Sequence, residues 1–225
     1  MNNTELCNFV LKFTHDNSAY WFGTIAGMKA SNALLAEKTK QYPAHYGSSR
    51  TARYKADIKE GKKPTDCSGL IKGALMLKNG KFVYQPKYDI DLYAASKKKG
   101  PIKNMPEVKG LGLYKPGHVA VYLGNGLYHE ASSFANGIRT RKVSEAKFTK
   151  YFYIPYIEYK TTSEVQKPQD KPKQLTQKII DDLAHDCILG KYGNYPDRKH
   201  RINSLGYGNI YTQVQKRVNL MLYGR

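Results

Sequence analysis

Residues 117–131 read GHVAVYLGNGLYHEA. Val119, Val121 and Leu123 alternate with Ala120 and Tyr122, which is the period of a half-buried strand. Gly124-Asn125-Gly126 is a strong turn signal, and Leu127–Ala131 resumes as a second strand, so the stretch predicts an antiparallel hairpin. His118 opens the first strand on the face opposite Val119, Val121 and Leu123. Residues on either side of a hairpin turn lie next to each other, which brings Glu130 within reach of His118. His129 is the rival partner. Adjacent strand residues point to opposite faces, which favours Glu130, although a bulge reverses the choice.

Upstream the period changes. Leu70, Ile71, Ala74 and Leu75 recur three and four apart, a helix that begins near Asp66 and ends at Asn79-Gly80. Thr4–Thr14 gives a second helical pattern through Leu6, Phe9, Val10 and Phe13, with Cys7 inside it as a buried residue. Downstream, Tyr151–Tyr159 is aromatic and β-rich, and Pro155 demotes it to an edge or bulged strand. Helices followed by a strand meander define an α+β domain with an antiparallel sheet. Residues 161–178, rich in Lys, Gln, Pro, Ser and Thr, read as a linker between a domain at 1–160 and a tail at 179–225. In the tail, Ile179, Ile180, Leu183, Ala184, Cys187 and Ile188 mark one helix, stopped by Gly190. Pro196-Asp197 starts a second, and Tyr211–Leu222 carries a third through Val214, Val218 and Leu222.

The chain has 225 residues, with Lys plus Arg 37 against Asp plus Glu 18, a net charge of +19. A 40% apolar content supports a packed core and excludes disorder throughout. The sequence holds no apolar run long enough to span a membrane, and its first residues do not read as a secretory signal peptide. Cys7, Cys67 and Cys187 are too scattered for a disulfide framework or a paired-cysteine zinc site. The charge points to an anionic polymer as partner. It is spread along the chain, with only Lys97–Lys99 tightly clustered and no nucleic-acid recognition module, so nucleic acid is not expected.

Cys67 stands apart from the other two cysteines. It lies in Thr65-Asp66-Cys67-Ser68-Gly69, where a polar loop becomes an apolar helix. The positive end of the helix dipole and the unpaired first-turn amides favour thiolate, which predicts a lowered thiol pKa. A thiolate is the nucleophile of acyl transfer, and the same amides can hold an oxyanion. His118 is then the expected general base, with Glu130 fixing its tautomer. Asp66 reads equally as a substrate contact or as a helix N-cap.

Asp66-Cys67-Ser68-Gly69-Leu70, then Gly117–Gly126, then Glu130-Ala131, resemble the NlpC/P60 cysteine peptidases over about residues 18–158. Tyr20-Trp21-Phe22-Gly23-Thr24 and the Gln41-Tyr42 region are similar to the phage-lysin branch of that family. The resemblance implies a papain-like core with Cys67 as nucleophile and His118 as base, no cofactor and no metal, and substrate contacts at Asp66 and Ser68. It implies hydrolysis of an amide in the stem peptide of bacterial peptidoglycan, between D-γ-glutamate and the diamino acid, with the muramoyl–L-alanine bond as the alternative. The family's third position is most often His, Asn or Gln, and here it is Glu130. Tail residues Gly190-Lys191-Tyr192-Gly193-Asn194, Arg198, Gly206-Tyr207, Val214-Gln215 and Val218-Asn219 resemble one CW_7 wall-binding repeat over about 179–223. That resemblance implies a small three-helix domain holding a muropeptide through Tyr192, Asn194, Arg198 and Tyr207; Tyr stands at 192 where the family usually has Trp.

Together these imply a phage-type endolysin that stays in the host cytoplasm until a holin releases it to the cell wall, without inserting in the membrane. One repeat binds weakly, so self-association into a homo-oligomer is expected to add avidity. The rivals are an acyl transferase on the same core and a catalytically inactive wall-binding protein.

Overall fold

The computed structural model describes residues 1–79, 81–159, 175–194, 196–205 and 207–224. Most of the segment 161–178, expected as a linker, lies outside the described residues, as do Gly80 and Gly206. The chain divides into two units, Met1–Thr162 and Ser163–Arg225.

In the first unit, α1 (Asn3–Val10) opens with a capping box. The Asn2 side chain accepts from the Glu5 amide, and the Glu5 carboxylate accepts from the Asn2 amide. The helix stops at Val10, short of the expected Thr14. There follow β1 (Ser18–Tyr20), α2 (Asn32–Gln41), α3 (Ser48–Lys59), β2 (Lys63–Thr65) and α4 (Cys67–Met76). β1 and β2 pair in parallel, Tyr20 opposite Thr65. α4 ends at Met76, because Leu77–Lys78 (β3) and Lys81–Phe82 (β4) pair as a small antiparallel ladder where the helix was expected to continue.

The main sheet has six strands: β5 (Lys99–Pro101), β6 (Gly112–Lys115), β7 (His118–Gly124), β8 (Leu127–Ser133), β9 (Gly137–Lys142) and β10 (Lys150–Phe152). Their order is β5-β10-β6-β7-β8-β9, and every pair is antiparallel. The molecule is therefore α+β, with the hairpin of residues 118–133 at the heart of the sheet. The strand expected over Tyr151–Tyr159 is only Lys150–Phe152, and it lies inside the sheet between β5 and β6 rather than at an edge. The chain leaves the ladder ahead of Pro155, which has no amide to donate, and Tyr156 follows in a left-handed conformation (φ 66°).

Strand alternation sends the sheet's two faces into two cores. Val119, Val121 and Ala131 pack with Leu6, Val10 and Phe13 of the N-terminal segment and with Leu70, Ile71 and Ala74 of α4. Ala120, Tyr122 and Tyr128 pack with Leu111, Leu113 and Phe148 on the other side. A third cluster joins Trp21, Tyr46 and Tyr54, and the Trp21 indole donates to Asp57 Oδ2 at 2.9 Å. Burial raises the Asp57 carboxyl above its usual range, against the pull of that hydrogen bond. Cys7 is buried as expected.

The second unit contains α5 (Gln177–Ile188), α6 (Asp197–Asn203) and α7 (Tyr211–Tyr223). α5 begins at Gln177 rather than at Ile179, capped by the Thr176 hydroxyl accepting from the Ile179 amide, so 177 and 178 belong to the helix and not to a linker. Leu183, Ala184, Cys187, Ile202, Ile210, Val214 and Val218 form its core. Leu222 was placed on the apolar stripe but is 49% exposed, because the core ends at Val218.

Candidate active site and wall-binding unit

The turn from β2 into α4 fixes the candidate nucleophile. Asp66 is the N-cap, with extended backbone (φ −102°, ψ −174°). Its Oδ1 accepts from the Gly69 amide at 2.6 Å and the Ser68 hydroxyl at 3.2 Å, and its Oδ2 accepts from the Gly23 amide at 2.8 Å. Both oxygens are thus held by the protein as a helix cap, and Asp66 also lines the cavity of about 490 Å³ next to that of Cys67. Burial raises the Asp66 carboxyl, against those amide hydrogen bonds. Cys67 becomes the first residue of α4. Its pKa was expected to fall, but it is pushed up to about 11. Burial is the largest cause and the neighbouring Asp66 adds to it. Hydrogen bonds from the amides of Val119, Ser68 and Cys67 itself pull the other way without winning. The helix-terminus effect is present, and desolvation outweighs it.

The Val119 amide beside the sulfur belongs to the residue after His118, so β7 starts next to the start of α4. Cys67, Ser68, His118, Val119, Tyr114 and Ile90 line one open cavity of about 450 Å³. His118 Nε2 lies 2.6 Å from Glu130 Oε2. Continuing the register Val121↔His129 sets Ala120 opposite Glu130, so His118 meets Glu130 on the diagonal of the hairpin. Glu130 also accepts from Arg139 Nε at 2.9 Å, its register partner on β9. Burial would raise the Glu130 carboxyl, but the hydrogen bonds from His118 and Arg139 hold it at about 2. It is a carboxylate at any ordinary pH. The His118 ring lies parallel to Phe148, with 5.9 Å between centroids.

His129 points into the opposite core. Its Nδ1 meets Thr140 Oγ1 at 2.9 Å and its Nε2 meets the Phe13 carbonyl at 3.0 Å. Between the two rivals, Glu130 is the residue beside His118. Sequence reading missed Arg139 and Phe148. The Arg139/Arg141 alternation in GIRTRK was the available signal for β9; nothing in the sequence marked Phe148.

A second cavity of about 490 Å³ adjoins the first through Ser68, Lys72 and Asp89. Phe22, Gly23, Thr24, Gln41 and Tyr42, the stretches similar to phage lysins, line it. Lys72 pairs with Asp89 at 2.6 Å on the shared wall. Among the described residues, no group of three or more His, Cys, Asp or Glu side chains is placed to hold a metal ion.

In the second unit Tyr192 and Tyr207 are half-buried against the helical core. Arg198 donates through Nε to the Gly193 carbonyl at 2.8 Å, and its amide donates to the Asn194 carbonyl at 2.9 Å. Local backbone bonds therefore tie Arg198 to Gly193 and Asn194, with Tyr192 packed on the core, and the Arg198 guanidinium is partly committed to the backbone.

A first-turn helical cysteine beside a strand-borne histidine that is held by a carboxylate defines the cysteine-peptidase class of hydrolase. The first unit is a domain of the NlpC/P60 family, which it matches over residues 45–156, and residues 181–222 match the CW_7 repeat. The family match starts after α2, so Trp21, Phe22 and Gln41 fall outside it. No curated protein matches the chain. Solved structures that it resembles include the NlpC/p60 domain of the peptidoglycan hydrolase SagA, at 14% identity and TM-score 0.40, covering 68% of this chain and 100% of that one. The peptidoglycan hydrolase RipB of Mycobacterium tuberculosis is 25% identical at TM-score 0.40, covering 70% and 68%. The P60 domain of an antigen from M. avium subspecies paratuberculosis is 22% identical at TM-score 0.40, covering 70% and 98%.

Proposed function

We propose that this NlpC/P60 peptidoglycan hydrolase, with its wall-binding repeat, acts as a phage-type endolysin and cuts the D-γ-glutamyl–diamino acid amide of the stem peptide through Cys67, His118 and Glu130. The observation that carries the reading is the convergence of Cys67 and His118 on one open cavity, with Glu130 on the Nε2 nitrogen of the imidazole. Glu130 accepts from Nε2–H and leaves Nδ1 as the basic nitrogen. Because burial keeps the thiol protonated at rest, the thiolate forms as substrate binds: Nδ1 takes the Sγ proton while Sγ adds to the carbonyl carbon. The first-turn amides of Cys67 and Ser68 stabilise the oxyanion; Gly69 is excluded because Asp66 already holds its amide. Collapse breaks the C–N bond, and the imidazolium gives its proton to the departing amine. A water molecule, deprotonated by His118, then hydrolyses the thioester, releasing a carboxylate and restoring the thiol. Glu130 stabilises the imidazolium in both half-reactions, and Arg139 holds Glu130 in place.

In this reading the CW_7 unit tethers the enzyme to its insoluble substrate, raising effective concentration without touching the chemistry. Mass spectrometry of wall digests tests the bond. New D-glutamyl carboxyl ends are expected; liberated L-alanine amino ends on intact stems would assign the muramoyl–alanine bond instead. Cys67→Ala is expected to abolish product formation while retaining wall binding, and full turnover in that variant would remove Cys67 as nucleophile.

A further inference from the structure

The first unit carries another groove, of about 420 Å³, whose lining includes Lys97, Lys98, Tyr153, Pro155 and Tyr156. Ile90 lines both this groove and the Cys67 cavity, so the two adjoin across that side chain. Tyr156 sits at φ 66°, a conformation that a bulky L-residue adopts only under constraint. The strain secures no burial, since Tyr156 is 57% exposed. Its ring stands edge-on to Tyr88, with centroids 5.0 Å apart, and Lys87 Nζ lies 4.7 Å from the Tyr88 centroid. Lys98 Nζ lies 4.2 Å from the Tyr153 centroid. Lys97 and Lys98 belong to the chain's tight basic cluster, for which the chemistry at Cys67 has no use.

An exposed tyrosine ring at 156 with ammonium groups nearby suits a sugar chain. The C–H face of a pyranose lies on a tyrosine ring, and each ammonium donates to hydroxyl and acetamido oxygens. Adjacency to the Cys67 cavity selects the source, because a strand lying here is covalently joined to the stem peptide that reaches the sulfur. We infer that this groove is a subsite for the glycan strand of peptidoglycan, with a sugar ring on Tyr156 and sugar hydroxyl or acetamido oxygens accepting from Lys98. The inference rests on the substrate proposed above and adds where the polysaccharide runs.

The test compares wild type, Tyr156→Ala, Tyr156→Gly and Lys98→Ala as full chains. Two readouts are used: equilibrium binding of peptide-free glycan strands, and hydrolysis of a soluble disaccharide-peptide against the same peptide without sugars. Each variant is expected to weaken glycan binding and to raise KM for the sugar-bearing substrate about five- to tenfold, with kcat/KM on the sugar-free peptide within about twofold of wild type. Tyr156→Gly relieves the positive φ and is expected to melt no lower than wild type, which separates lost recognition from lost fold. Unchanged glycan binding and KM in all variants would overturn the inference, as would equal losses on both substrates. A single-stranded oligonucleotide that binds as tightly and responds equally to the substitutions would overturn it too. If wild type cleaves neither substrate, the proposed function fails, while the glycan-binding comparison still decides the groove.

Discussion

His129 is the imidazole whose charge the fold suppresses. It is 3% exposed, wedged between the Phe13 carbonyl and Thr140. Burial lowers its pKa from 6.5 to about 4, against the Phe13 carbonyl and the Glu130 charge, which both favour the protonated form. A base with a depressed folded pKa takes up its proton first in the unfolded chain. Stability is therefore full above pH 6.5, declines as pH falls from 6.5 to about 4, and loses about 3 kcal/mol from this group. Glu130, held at about 2, adds a separate loss that begins below pH 4.5. Urea unfolding at a series of pH values is expected to show the first decline in wild type and not in His129→Gln. A decline of equal size in that variant would place the acid-sensitive group elsewhere. At this scale the sequence resolved His118 and Glu130 because a hairpin register is local. It misjudged the Cys67 pKa because desolvation depends on what packs over the sulfur, and no neighbour in the chain reports that.

The elements around the site meet at glycines. A Cβ on Gly73 of α4 would stand 2.3 Å from the Ala26 carbonyl oxygen and 2.5 Å from the Ala26 Cβ. One on Gly69 would stand 1.9 Å from the Thr24 carbonyl oxygen. The Ala26 amide donates to the Gly69 carbonyl at 3.1 Å, so the contact is backbone on backbone and has no flexible side chain to yield. At Gly69 the chain at residues 24–26 is what comes close. Gly73→Ala is expected to destabilise the protein by about 1–3 kcal/mol, measured by urea unfolding. It is also expected to lower kcat/KM, because the displaced segment carries Thr24 and Ile25 into the cavity beside Cys67. Wild-type stability in that variant would show that the packing at Ala26 is looser than the distances state.

The elements legible from the sequence were those with a strong apolar period, namely α1, α4, β7 and β8 of the first unit and α5 and α7 of the second, with α6 marked by its Pro-Asp start. α2 and α3 gave no such signal, since the buried residues they contribute are Lys38 in the first and Tyr54 and Asp57 in the second. β5 contains Gly100 and Pro101, and β6 and β10 are too short to alternate visibly. Their pairing is set by the sheet they join, not by their own side chains.

Across the whole molecule the dominant feature is charge, +19 over 225 residues. Excess positive charge acts at two ranges that ionic strength separates. Capture of an anionic polymer depends on the summed field at distances beyond a Debye length, about 10 Å at 0.1 M salt, and is screened steeply. The contacts that shape the Cys67 site, such as His118 to Glu130 at 2.6 Å and Asp66 to the Gly69 amide at 2.6 Å, are short and buried, and salt barely reaches them. Raising salt from about 0.05 M to about 0.5 M is therefore expected to slow solubilisation of purified wall roughly tenfold, while turnover of a small soluble stem peptide changes by less than about twofold. Equal slowing of both reactions would place the salt effect on the fold or the active site. If neither reaction slowed, the wall would be held by the short-range contacts of the CW_7 unit and the glycan groove, with the net charge contributing little to capture.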